Sequence, residues 1–390
     1  MAPPVVALGL FGTGLIGSAH MKQLAKQTPY LLEQLRVDVR VVAVSNSRRM
    51  LLSGSALQGT EWRAALDSPQ AQQADPDALA AHVASHPGAA AGVLLDCTAS
   101  ELLPQHYCSW LGQQGLHIIT PNKKLGAGPL QRYQQLRQLQ KDTGKHFMYE
   151  TTVGAGLPVI STLKELIETG DRVLSIEGIL SGTLSFIFNS FQPGMAFSEG
   201  IFSGTLSFIF NSFQPGMAFS EVVRQAKEQG YTEPDPREDL SGMDVARKVV
   251  ILARECGLQL GLEDLQVASL VPPQLAALST PAEYMAALPQ HDGDMAAQAQ
   301  EAAASGEVLR YVGKVDVAGG TASVTTSRYP ASHPFAALRG SDNILVFTTE
   351  RYGPATPLIV RGPGAGAEVT AAGVFGDLLK VLRYVAAART

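Results

Sequence analysis

Cysteine is scarce in this chain: only Cys97, Cys108 and Cys256 occur, an odd number with no CxxC spacing. That pattern excludes a disulfide framework and points to free thiols in a reducing compartment. Runs of one charge are also missing. The formal net charge is -5 and no long basic tract exists, which excludes nucleic acid and anionic membranes as main partners. No apolar run reaches the length of a membrane span. Met1, Ala2, Pro3 and Pro4 lead almost at once into an apolar segment, so no signal or transit peptide is expected ahead of it. The expectation is a soluble intracellular protein, cytoplasmic by default and plastidic if a transit peptide is missing from this sequence. Metal ligands are thin as well. His82 and His86 lie four apart, but no third ligand accompanies them, and zinc is not expected.

What is present suffices for a large core. The chain has 390 residues, of which 45% are hydrophobic, and two domains are expected. Residues 5–11 read as a buried strand, 12–14 as a turn, and 15–26 as a helix. Residues 37–45, 92–98, 117–120 and 147–151 read as further strands separated by helical stretches. That alternation predicts a parallel sheet with crossover helices over 1–155. Residues 156–360 then read as an α+β unit. It starts with a helix after Pro158 and a strand at 173–180, and helical segments fill 279–305. Strands at 308–317 and 321–328 are joined by Ala318, Gly319 and Gly320. Residues 361–390 form a glycine-rich loop and a last helix, expected to return to the first domain.

One segment occurs twice. Residues 178–199 and 200–221 are the same sequence apart from Leu180 in the first and Phe202 in the second. A single near-identical tandem repeat is a duplication rather than a solenoid. One copy can follow the native path and the other is surplus. Thr183 and Thr205 are the equivalent threonines of the two copies.

Several motifs carry chemistry. Gly12, Thr13, Gly14, Leu15, Ile16 and Gly17 form GxGxxG between a strand and a helix. The glycines allow a tight turn and close approach to a pyrophosphate, which the helix N-terminus then binds. At the end of the second strand stand Ser45, Asn46, Ser47, Arg48 and Arg49. No acid is there to bind ribose hydroxyls. The arginines favour a 2′-phosphate, hence NADP. Thr98 follows another strand end, and Lys123 or Lys124 follows the next, where ligands of open α/β sheets gather. Glu150 precedes a tight glycine loop at 153–157, which suits either a hard cation or a hinge.

The densest cluster spans 230–248. Glu233, Asp235, Glu238, Asp239 and Asp244 crowd one loop and helix start. Like charges so close invite a cation, and an amino-acid ammonium group fits. Ser241 is the expected N-cap of a helix running to about Cys256. On it Asp244 and Lys248 share one face, and Val245, Val249 and Leu252 form the apolar stripe. Gly366 belongs to a second glycine-rich helix entry.

Together these segments resemble homoserine dehydrogenase, from about Val5 to the last helix with one copy of the duplication set aside. The segment from Ala226 through Gly230, Asp239, Gly242 and Asp244 to Lys248 is its most specific part. TPNKK at 120–124, VGAGLPVI at 153–160 and SGTLSFIFN also fit. DLSGMDVARK and GAGAEVTAAGVFGDLL are closest to the dehydrogenase half of bifunctional aspartokinase–homoserine dehydrogenases, although this sequence carries no kinase or ACT domain.

The resemblance implies a Rossmann-type doubly wound parallel sheet with a second α+β domain for substrate binding and dimerisation. It implies a homodimer that interconverts L-aspartate 4-semialdehyde and L-homoserine with NADP(H), in threonine, isoleucine and methionine biosynthesis. Lys248 would donate the proton and Lys123 would be a second cation. Glu233, Asp239 and Asp244 would hold the substrate. Gly12, Thr13, Gly14, Leu15, Ile16, Thr98, Lys123 and Gly366 would contact NADP, alongside Asn46, Arg48 and Arg49 read above. Glu150 with the carbonyls of Val153, Ala155 and Leu157 would hold a monovalent cation such as sodium. Two rival readings remain: an oxidoreductase for another amino-acid semialdehyde, and an NADP-binding homologue impaired by the duplication.

Overall fold

A computed structural model describes residues 2–57, 61–69, 71–190 and 218–388. The chain divides into two compact units, Met1–Leu163 with Ala365–Thr390, and Lys164–Gly364.

The first unit is built on seven strands: β1 (Val5–Phe11), β2 (Asp38–Ser45), β3 (Arg49–Leu52), β4 (Gln72–Gln73), β5 (Ala89–Asp96), β6 (His117–Ile119) and β7 (Phe147–Met148). Their order is β4-β3-β2-β1-β5-β6-β7. The β2-β1-β5-β6-β7 run is parallel. This is the Rossmann-type sheet expected of strands that alternate with helices. β3 and β4 add an antiparallel edge within the stretch between the strands expected at 37–45 and 92–98. Val6, Leu8 and Leu10 on one face of β1 and Ala7 on the other are fully buried, consistent with a central strand covered on both faces.

The first helix runs from Leu15 to Glu33, past the expected end near residue 26 and through Pro29. Burial of Leu31 to 1% holds its extra turns to the core. The last helix, Ala367–Ala387, places Val374, Leu378, Val381 and Leu382 in the same core as Val6, Leu8 and Leu10.

The second unit contains β8 (Val173–Ile179), β9 (Gln266–Val267), β10 (Glu307–Asp316), β11 (Thr321–Pro330), β12 (Asp342–Thr349) and β13 (Leu358–Pro363), in the order β13-β12-β8-β10-β11-β9. The pairs β10–β11, β8–β10, β8–β12 and β12–β13 are antiparallel. Helix Met243–Glu255 buries Val245, Val249 and Leu252, the apolar stripe read from the sequence.

The duplicated segment is partly described. The first copy supplies the end of β8 and helix Gly182–Ser190. The second copy's last residues enter helix Phe219–Glu228. Thr205 lies outside the described residues. The first-copy helix is fixed to the sheet by polar bonds. Ser185 Oγ donates to the Asp342 carbonyl at 2.9 Å, and Asn189 Nδ2 donates to the Gly340 carbonyl at 2.9 Å. The fully buried Arg310 guanidinium donates to the Phe188 carbonyl at 3.3 Å.

Candidate functional site

In the first unit the glycine turn joins β1 to its helix. Gly12 has φ +87°, and a Cβ there would lie 2.7 Å from Thr98 Cγ2 and 2.9 Å from the Cys97 carbonyl oxygen. Only glycine fits that approach. Beyond it Gly14 and Leu15 are exposed, Leu15 to 83%, while Thr13 and Ile16 are half-buried. The first amides of the helix have no partner inside the helix, which is the anion-binding arrangement of dinucleotide folds. The residues present therefore fit a nicotinamide dinucleotide.

The strand ends beside this turn are tied together by one buried carboxylate. Asp96, 1% exposed, accepts from Thr98 N at 2.9 Å and from Thr98 Oγ1 at 2.6 Å. It also accepts from Tyr107 Oη and, at 3.3 Å, from Asn122 Nδ2. Burial raises the Asp96 pKa, and hydrogen bonds from Thr98, Tyr107 and Asn122 oppose the rise. Asp96 lies within the strand expected at 92–98, but its partners Tyr107 and Asn122 carry no local signal in the sequence. The network shapes the loop that bears Lys123, which is half-buried. Neighbouring Lys124 forms an ion pair with Glu101.

At the end of β2, Asn46 Oδ1 accepts from the backbone of Arg48 and Arg49, both at 2.8 Å, and so shapes the turn. Arg49 opens β3, and its guanidinium donates to the carbonyls of Asp67 and Ser68 at 3.1 and 2.9 Å. These bonds use Nη1 alone. Arg48 is exposed and its side chain has no partner among the described residues. Gly366 is the exposed N-cap of the last helix, with φ +118°.

Glu150 is 8% exposed and caps helix Ile160–Glu168. Its Oε1 accepts from Ile160 N at 2.7 Å and its Oε2 from Ser161 N at 2.9 Å. Lys380 Nζ lies 3.3 Å from Oε2 and 3.0 Å from Asp377 Oδ1. The Leu157 carbonyl accepts from Val159 N at 2.9 Å. In the same loop Gly154 has φ +77°, and Ala155, a non-glycine residue, has φ +52°. The loop thus holds a strained turn of the kind found at ligand sites, but the carboxylate is already shared.

The second unit gathers the acids and Lys248. Lys248 is 7% exposed. Its Nζ donates to the Leu180 carbonyl at 2.6 Å and lies 2.8 Å from Asp244 Oδ2. Asn343 Nδ2 donates to the same carbonyl at 3.2 Å. Asp239 Oδ2 accepts from Glu233 N at 2.8 Å. Thr183 Oγ1 donates to the Tyr231 carbonyl at 2.6 Å and is also a hydrogen-bond partner of Asp239. The Phe186 and Tyr231 rings stack at 4.5 Å, which fixes this first-copy helix beside the acidic loop.

Two details differ from expectation. The loop after Asp235 is a short helix, Pro236–Leu240, capped by Asp235, which also pairs with Arg237 at 2.6 Å. Asp235 is therefore neutralised and leaves the acidic cluster. The N-cap of helix Met243–Glu255 is Gly242 in the left-handed region, not Ser241, which ends the preceding short helix.

The remaining carboxylates repel one another. Burial raises the Glu233 pKa, and the charges of Asp239, Glu238 and Asp244 add to the rise. Asp239 is raised mainly by burial, with Asp244 and Glu238 contributing, against hydrogen bonds from Glu233 and Thr183. Such a pocket favours a bound cation. No cluster of three or more metal-ligating side chains exists among the described residues, and His82 instead contacts the Ser53 carbonyl at 2.9 Å. The three cysteines are free thiols. No described helix is long and apolar enough to cross a membrane.

Comparison with known proteins places this architecture. A family model described as homoserine dehydrogenase, NAD binding domain, matches residues 12–150. A second, described as homoserine dehydrogenase, matches residues 158–199 and 194–379. A chloroplastic bifunctional aspartokinase/homoserine dehydrogenase 2 of Zea mays is 49% identical over 99% of this chain, which spans 40% of that relative's length. A homoserine dehydrogenase of Paracoccidioides brasiliensis is 41% identical over 98% of this chain and 99% of its own. A solved Candida auris protein of unknown function is 37% identical with a TM-score of 0.85, covering 98% of this chain and 99% of that one. The fold is shared with a hyperthermophilic archaeal homoserine dehydrogenase solved in complex with NADPH. That likeness is 20% identity at a TM-score of 0.67 over 96% of this chain and 97% of that one. With family matches across both units and this identity over nearly its whole length, the chain belongs to the homoserine dehydrogenase family.

Proposed function

We propose that this chain catalyses the reversible NADPH-dependent reduction of L-aspartate 4-semialdehyde to L-homoserine, a step of threonine, isoleucine and methionine biosynthesis. The observation that carries the reading is the buried Lys248 ammonium paired with Asp244, a carboxylate that itself interacts with Glu233 and Asp239. Bound NADPH supplies the hydride for the aldehyde carbon. Negative charge then develops on the aldehyde oxygen. Lys248 stabilises that charge and donates the proton, two roles that a fixed ammonium combines. Glu233, Asp239 and Asp244 receive the substrate's ammonium and hydroxyl groups. That binding relieves the repulsion among them.

In the nucleotide unit Gly12, Thr13, Gly14, Leu15, Ile16, Thr98, Lys123 and Gly366 serve the cofactor, and Lys123 is the second cation of the reaction. Asn46 shapes the turn that presents Arg48, which favours NADPH over NADH. A monovalent cation such as sodium binds the strained loop of Val153, Ala155 and Leu157, and shares Glu150 with Lys380. The active species is a homodimer. Purified protein mixed with NADPH and aspartate semialdehyde should lose reduced-nicotinamide absorbance. Tight NADPH binding without turnover would instead establish the impaired homologue.

A further inference from the structure

Helix Glu61–Asp67 carries an arginine that the cofactor motifs did not include. Arg49 anchors the C-terminal end of this helix through the Asp67 and Ser68 carbonyls. One turn back, Arg63 Nη2 donates to Ser18 Oγ. Ser18 Oγ in turn donates to the Thr13 carbonyl, at 2.9 Å, inside the glycine turn. That turn is itself joined to the end of β2, because Gly12 N donates to the Ser45 carbonyl at 2.8 Å. The Arg63 guanidinium also lies 5.1 Å from the ring centroid of Trp62, whose side chain is buried in the core. An exposed arginine is thus held by neutral groups two hydrogen bonds from the glycine turn. It faces no carboxylate among the described residues.

We propose that Arg63 joins the strand-end arginine Arg48 in binding the 2′-phosphate of NADPH. The inference rests on reading the first unit as an NADPH site. The ribose of a dinucleotide lies beside the end of the second strand of such a sheet, and Arg48 stands there with its donors unengaged. A phosphate dianion needs more than one cation, and a guanidinium offers it a planar pair of N–H donors. Arg63 is pre-aimed by Ser18 and Trp62. The phosphate therefore meets a cation whose side-chain freedom is already reduced, which is the economical way to gain affinity. Arg49 contributes by holding, through Nη1, the end of the helix that presents Arg63.

Fluorescence titration of the full chain with NADPH and with NADH tests the assignment in the wild type, Arg63→Ala, Arg63→Lys and Arg49→Ala. The wild type should bind NADPH more tightly. Arg63→Ala should raise the NADPH Kd about tenfold or more, as loss of a charge-assisted hydrogen bond does, and leave the NADH Kd nearly unchanged. Arg63→Lys should recover part of the loss. Arg49→Ala should lower Tm and weaken both cofactors alike. If the wild type shows no preference for NADPH, the NADP reading itself fails. If it prefers NADPH and Arg63→Ala keeps that preference, or loses both cofactors equally, the assignment of Arg63 is overturned while the NADP reading stands. Should Arg63→Ala fail to fold, Arg63→Lys and Arg63→Gln decide by the same ratio.

Discussion

Lys248 donates to the carbonyl oxygen of Leu180 at 2.6 Å, and Leu180 stands at the single position at which the duplicated segments differ, Leu180 against Phe202. The contact is to backbone, so it depends on the path of the first copy rather than on its side chain. The Asn343 amide holds the same carbonyl from the other side. The surroundings of Lys248 are thus built from the first copy, with Asp244 one helical turn away on its own helix.

Replacing Lys248 with alanine should remove most of kcat, by about a hundred- to ten-thousandfold, the usual worth of a placed general acid. NADPH affinity should be unchanged, because the glycine turn belongs to the other unit. Stopped-flow reduction and a fluorescence Kd separate the two effects. Near-normal kcat would take Lys248 out of the mechanism.

Thr183 bonds to the Tyr231 carbonyl and to Asp239. Thr183→Val should therefore lower kcat/KM about tenfold, the cost of a lost hydrogen bond beside a charged group. Thr205→Val should have no effect, and deletion of residues 200–221 should preserve activity. Equal losses for the two threonine variants would reverse the assignment of the first copy to the site.

The sequence disclosed most of the frame because its signals are local. β1, β2 and β5 are apolar runs bounded by glycine or polar turns, and the glycine turn sits where strand gives way to helix. β3 escaped notice because Arg49, Met50, Leu51 and Leu52 are too few to show alternation, and their pairing with β2 is a tertiary fact. The acidic cluster was legible as composition. That Asp235 leaves it for Arg237 depends on which carboxylate caps the helix at Pro236, a competition that spacing does not reveal. Arg63 gave no signal at all, since its meaning comes from Ser18, far away in sequence.

Repulsion within the cluster has a pH signature. Glu233 and Asp239 have raised pKa values in the folded protein. For an acid so shifted, the folded state binds protons more tightly than the unfolded chain. The stability each contributes is therefore present at low pH. It is lost as pH rises from the ordinary carboxylate range through the raised folded values. Asp239→Asn removes one of the charges. Relative to the wild type, the variant's Tm should improve between pH 5 and pH 8, whatever fixed cost the lost hydrogen bonds impose. A relative Tm that worsens over that interval would contradict the crowding. Homoserine, which brings an ammonium group, should raise the wild-type Tm more than that of Asp239→Asn.

The strained loop at Ala155 bears on the monovalent cation. A non-glycine residue at φ +52° costs on the order of 1–2 kcal/mol, which bound sodium would help repay. At equal ionic strength, sodium chloride should give a higher Tm than choline chloride. Identical melting curves in the two salts would mean that Lys380 and the amides of Ile160 and Ser161 are all that Glu150 requires.

Gly242 links the acidic loop to the helix of Lys248, with φ +74°. A Cβ added there would fall 2.0 Å from Tyr311 Oη, and that hydroxyl donates to the Ala268 carbonyl at 2.8 Å. Gly242→Ala must therefore push a buried tyrosine off its partner as well as strain the backbone. Left-handed strain alone costs roughly 1–2 kcal/mol, and loss of the tyrosine's bond adds about 1–3 kcal/mol. The same displacement moves Asp244 and Lys248, which follow directly on the helix. Gly242→Ala should lower stability and kcat together, whereas Lys248→Ala should lower kcat with little loss of Tm. Urea denaturation and steady-state rates on both variants make the comparison. A stable Gly242→Ala protein with full activity would show that the helix start tolerates what this geometry forbids.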